Sequence, residues 1–183
     1  MRVLENFKKE LYHINMKISI VYFSLSGRTK FLAQSLADAL KPEGFTVKVT
    51  PLKTPDTGSF LKNCISALMK KKVKLEYIPE IKTSEIVFLG SPVWAFDITP
   101  AMRTFLEDVD LKGKKVFLFM TYGSGKGKDR AMDNFRNLVE QKGGKVIGAA
   151  DIKGRSVKDA SEKFKEEVKE CLRQSQLIRH PGQ

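Results

Sequence analysis

A chain of 183 residues with 42% hydrophobic content and 12 Phe can bury one sizeable core, and nothing in its length demands a second domain. Its formal charge of +12 favours contact with acidic proteins, nucleic acid or anionic lipid and singles out none of them. The two cysteines, Cys64 and Cys171, lie far apart without CxxC spacing, which argues against a zinc cage, an iron–sulfur set or a disulfide framework; with no run of about 18 apolar residues to cross a bilayer, a cytoplasmic protein without a membrane span is expected.

Residues 1–15 place Leu4, Phe7, Leu11 and Ile14 at heptad spacing, suited to a short amphipathic helix that docks on a neighbour, as in a homo-oligomer. The competing reading makes Met16 the natural start. KISIVYF, Lys17 to Phe23, is an apolar run dense enough for a strand buried on both faces. TKFLAQSLADALK follows as a helix with Phe31, Leu32, Leu36, Ala39 and Leu40 on one face. FTVKVTPL (Phe45 to Leu52) reads as a second strand, SFLKNCISALMKKK (Ser59 to Lys72) as a helix, and residues 73–84 as an extended approach to the strand EIVFLGS, Glu85 to Ser91. AMRTFLEDV (Ala101 to Val109), KKVFLFMTY (Lys114 to Tyr122), RAMDNFRNLVEQK (Arg130 to Lys142) and KVIGAADI (Lys145 to Ile152) continue the alternation of helix and strand. A last helix carries Val157, Ala160, Phe164, Val168 and Cys171 on its apolar face, and the tail from 176 to 183 lacks helix support. One α/β domain over residues 16–175 is expected, its strands parallel because each strand–helix–strand repeat closes right-handed onto the same sheet.

In an open parallel sheet, ligands sit beyond the carboxyl ends of the strands, where the strand order reverses. The loops that matter therefore follow Phe23, Gly90 and Tyr122. After the first strand, Ser24, Ser26, Gly27 and Thr29 stand where a helix begins with unpartnered backbone N–H groups. They suit a phosphate held by backbone and hydroxyls, or equally a simple helix cap. Neither GxxxxGK[ST] nor GxGxxG is present after this strand, which excludes the two better known phosphate loops. After the third strand, GSPVWAFDITPAM holds the single tryptophan, Trp94, which either stacks on a flat ligand or packs inward. After the fourth, TYGSGKGKDR is flexible and offers exposed N–H groups beside Tyr122. No Ser–His–Asp or Cys–His set stands out, and His13 and His180 lie in the terminal segments.

With SLSGRT, GSPVWAF and TYGSGKG in this order, residues 17–172 resemble the flavodoxin family, in its short-chain branch. The resemblance implies a flavodoxin-like three-layer sandwich, a five-stranded parallel sheet in order 2-1-3-4-5 that binds FMN without a covalent bond. By the same resemblance Ser24, Leu25, Ser26, Gly27, Arg28 and Thr29 would surround the phosphate. Ser91, Pro92, Val93, Trp94, Ala95 and Phe96 would line one side of the isoalloxazine, with Trp94 as the stacking ring. Thr121, Tyr122, Gly123, Ser124 and Gly125 would border its other side and its pyrimidine edge.

The function implied is electron transfer between redox partners, with no catalytic side chain and no metal. The basic charge departs from the acidic surface of familiar flavodoxins and points to an acidic redox protein as partner. Two alternatives stand beside this reading: an FMN-dependent NAD(P)H:quinone-type oxidoreductase, and a basic binding module that has lost the flavin. Nucleic acid is not the expected partner, because lysines scattered over helices more often form solvated faces than a phosphate-reading stripe.

Overall fold

The computed structural model describes residues 16–55 and 72–175. The expected N-terminal helix, the helix at 59–72 apart from its last residue, and the tail lie outside the described residues. Five strands form one parallel sheet: β1 (Lys17–Tyr22), β2 (Thr46–Pro51), β3 (Ile86–Pro92), β4 (Lys115–Tyr122) and β5 (Lys145–Lys153). Their spatial order is β2-β1-β3-β4-β5, as the resemblance implied. The connections described as helices are α1 (Arg28–Leu40), α2 (Pro100–Asp108), α3 (Lys128–Gln141) and α4 (Ser161–Gln174).

Side chains alternate across each strand, so a central strand with a helix layer on either face must be apolar at every position. β3 meets this requirement, with Ile86 to Ser91 all buried. One face sends Ile18, Ile20, Phe88, Phe117 and Phe119 against Leu32, Leu36 and Leu40 of α1 and Phe164, Val168 and Leu172 of α4. The other packs Val21, Val87, Leu89, Val116, Leu118 and Met120 against Met102 and Phe105 of α2 and Phe135 and Val139 of α3. Each such large side chain contributes roughly 1.5–3 kcal/mol on leaving water.

The register of β4 on β5 shifts by one residue between Val116 and Phe117. The last helix begins later than its apolar spacing predicts. Gly154–Ser156 forms a 3₁₀ turn, and Val157 and Ala160 pack against the core from the link before Ser161. Within residues 73–84, Val73 N–H donates to the Thr104 hydroxyl at 3.1 Å and Glu76 N–H to the Lys53 carbonyl at 2.9 Å, which holds this extended run on the surface.

Candidate functional site

The three loops meet at one end of the sheet. Beyond β1 and β3, where the strand order reverses, a cleft of about 300 Å³ opens. Leu25, Ser26, Arg28 and Thr29 line it from the first loop and the start of α1. Pro92, Val93 and Trp94 follow from β3, and Thr121, Tyr122 and Gly123 from β4. Gly154, immediately after β5, completes the lining and is the residue that the loop motifs did not flag.

In the first loop Gly27 caps α1 at φ +80°, and no side chain accepts from the first turn. The Ser or Thr cap that competed with ligand binding is therefore not formed. The Ser24 hydroxyl is buried without a hydrogen-bond partner. A buried hydroxyl in that condition costs about 1–3 kcal/mol, which an anionic oxygen would offset together with the open N–H groups of the helix. These residues fit a phosphate. Thr29 is committed differently: it is buried, and its Oγ1 lies 3.0 Å from Thr121 Oγ1, joining the first loop to the end of β4. Arg28 lies across the Gly154 backbone, where an added Cβ would stand 2.9 Å from Arg28 Cδ and 3.1 Å from Nη1. Glycine at 154 is what lets this cation reach along the cleft.

The second loop divides its residues between cleft and scaffold. Ser91 is fully buried; its Oγ donates to the Pro92 carbonyl at 3.0 Å and accepts from Thr99 N–H at 3.1 Å, fastening β3 to the cap of α2. Trp94 is 7% exposed, with its ring edge-on to Phe23 at a centroid distance of 5.4 Å and an interplanar angle of 84°. It packs inward, one of the two alternatives left open for it, and it also lines the cleft. Trp94 and Asp97 then exchange backbone hydrogen bonds of 2.8 and 2.9 Å around a two-residue turn in which Ala95 has φ +45° and Phe96 φ +65°. Such mirror-image turns ordinarily read Asn-Gly, since other residues are strained at positive φ. The turn is anchored by Asp97, whose Oδ1 accepts from Ile98 N–H at 2.8 Å and whose Oδ2 meets Arg103 Nη2 at 2.6 Å, both side chains being buried. Phe96 itself is 47% exposed and lies over Gly127, where a Cβ would come 2.1 Å from Phe96 Cδ1.

In the third loop Gly123 faces the cleft, Ser124 Oγ accepts from Lys126 N–H at 3.4 Å, and Gly125 lies under the Tyr122 ring. Lys128 Nζ sits 5.7 Å from the centre of that ring and bonds Asp129 at 2.8 Å and Asp151 at 3.1 Å. Those carboxylates hold its pKa above the ordinary lysine range. Among the described residues the lining contains no carboxylate, imidazole or thiol. Its chemistry suits a planar group with an anionic end, held by contact and hydrogen bonds, with no proton-transfer pair among the described lining residues.

Fold and cleft together define a doubly wound α/β protein with a binding cleft at its switch point. The flavodoxin family model matches residues 17–168, and the chain belongs to that family of FMN-binding electron-transfer proteins. It is 28% identical over 139 residues to the flavodoxin of Megasphaera elsdenii, covering 74% of this chain and 85% of that one. In structure it is similar to a flavoprotein of Lactobacillus acidophilus solved in complex with FMN, with a TM-score of 0.60 and 23% identity over 82% of this chain and 97% of that one. Oxidised flavodoxin 1 of Bacillus cereus is similar at a TM-score of 0.58 and 18% identity, covering 84% of this chain and 97% of the other.

Proposed function

We propose that the protein holds FMN non-covalently in the cleft and carries electrons between redox proteins. The observation that carries this reading is the convergence of all three loops on one cleft, with the unpartnered Ser24 hydroxyl and the open start of α1 in the first loop and Trp94 and Tyr122 in the others. FMN supplies the redox chemistry when bound. Ser24, Ser26 and the N–H groups of Arg28 and Thr29 would take its phosphate, with Arg28 adding charge. Pro92, Val93 and Trp94 would wall one face of the ring and Tyr122 the other, while Gly123, Ser124 and Gly125 would border the pyrimidine edge. The partner would be a redox protein, an acidic one given the +12 charge of the chain.

The deciding experiment is the visible spectrum of the purified protein with added FMN, followed by steady-state mixing with NADH, NADPH and a quinone. Bound-flavin bands with negligible turnover are expected. Rapid, saturable NAD(P)H oxidation by quinone would instead assign an oxidoreductase, and no binding at excess FMN would defeat the flavoprotein reading.

A further inference from the structure

Charge is distributed unequally between the two ends of the sheet. At the cleft end, segments 24–30, 122–130 and 151–158 carry eight Lys and Arg against two Asp. Asp97, the acid of the second loop, is buried against Arg103 and offers nothing to solvent. At the opposite end, segments 16–18, 41–46, 82–86, 107–115 and 140–145 carry eight Lys and Arg against six Asp and Glu. Like numbers of cations thus leave a strong field at the cleft and nearly cancel behind it.

The same end exposes apolar surface. Leu25 on the first loop is 45% exposed and Phe96 on the second 47%, whereas most large apolar side chains among the described residues are buried. Phe96 is also held in a backbone conformation that a phenylalanine avoids, with the buried Asp97–Arg103 pair at the base of its turn. A strained turn that leaves about half of an aromatic side chain in water gains little for folding. It has one for binding, because interfaces gather their energy on a central aromatic and set charged residues at the rim.

We propose that this face docks an anionic protein, with Phe96 at the centre of contact and Arg28, Lys126, Arg130 and Arg155 in the surrounding rim. The inference deepens the electron-carrier reading and rests on it for what passes across the contact. Nucleic acid fits less well, because these cations come from the start of α1, the loop into α3 and its first turn, and the 3₁₀ turn after β5, around an apolar centre, and not from one continuous stripe along which a phosphate backbone could run.

The test uses the FMN-loaded full chain and an acidic plant-type [2Fe–2S] ferredoxin as probe, with binding followed by calorimetry at about 20 mM and about 300 mM salt. Two charge-reversed doubles are compared, Lys126→Glu with Arg130→Glu at the cleft end, and Lys112→Glu with Lys145→Glu at the other. They have the same net charge, so any difference between them reports position alone. The cleft-end double should lose about tenfold in affinity at low salt and little at high salt, with the other double within about twofold of the wild type. Equal losses in both, no binding by the wild type, or tighter retention of a single-stranded oligonucleotide than of the ferredoxin would overturn the proposal. The visible spectrum is recorded for every sample. Position-dependent binding in a protein that takes up no FMN would leave the docking face standing and remove the carrier reading.

Discussion

Thr29 and Thr121 stand 92 residues apart in sequence, yet their hydroxyls meet at 3.0 Å inside the protein. The bond joins the start of α1 to the end of β4 and so fixes the loop after β1 relative to the loop after Tyr122. Thr29→Val leaves the Thr121 hydroxyl buried and unpartnered, which should cost about 1–3 kcal/mol in urea unfolding. Thr29→Val with Thr121→Val should cost less than the two single changes combined, since the double removes both ends of one bond. Strict additivity would show that the contact is incidental.

Arg103→Met strands the buried Asp97 carboxylate and should destabilise the protein by about 3–5 kcal/mol. Asp97→Asn in the same background keeps an acceptor for Ile98 N–H while removing the charge, and should recover most of that loss. Chemical denaturation of the three variants measures both effects, and failure of the double to recover would place the cost in packing.

The turn between Trp94 and Asp97 can be relaxed. Ala95→Asn with Phe96→Gly supplies residues that tolerate positive φ, and should stabilise the protein by about 1–2 kcal/mol in thermal unfolding. The same change removes the exposed ring, so affinity for an acidic protein should fall as stability rises. A gain in both would separate the strain from any role in contact.

Trp94→Ala should weaken FMN binding and cost about 3–5 kcal/mol of stability, because the indole packs on Phe23 as well as lining the cleft. Trp94→Phe preserves more of the packing and separates the two roles. A flavin dissociation constant that does not move in either variant would deny Trp94 a place against the ring.

Burial raises the thiol pKa of Cys171, and its Sγ–H donates to the Ile147 carbonyl at 3.0 Å. A raised pKa means less thiolate at a given pH and slower alkylation. In a Cys64→Ser background, iodoacetamide at about pH 8 should modify the folded protein roughly tenfold more slowly than the unfolded chain, with the rate climbing as pH rises. Equal rates would show the thiol to be open to solvent.

Much of the fold was legible because two-sided burial leaves an unmistakable trace: KISIVYF, EIVFLGS and KKVFLFMTY lack the polar alternation of half-wet strands, and each is a strand at the centre of the sheet. The cleft was legible where small residues follow those strands. What escaped was held by contacts distant in sequence or by geometry without a residue signature. Ser91 reads as the last residue of a strand, and nothing local to it announces the buried link to Thr99. Ala-Phe gives no warning of a mirror-image turn, and nothing local to Gly154 announces that Arg28 lies across it. Arg103 carried the one usable clue, a cation among the apolar residues of AMRTFLEDV, which buried pairing explains.

The one-residue slip between β4 and β5 bears on whether the sheet can take on a strand from another molecule. β5 is the last strand of the sheet, and its outer backbone N–H and C=O groups could template a further strand from another molecule. A shift of register near its start twists the strand locally, and lysines stand at both its ends, Lys145 and Lys153. At the opposite border β2 carries Lys48 at mid-strand and ends at Pro51, which has no N–H to give. Both borders are thus poor templates for a further strand.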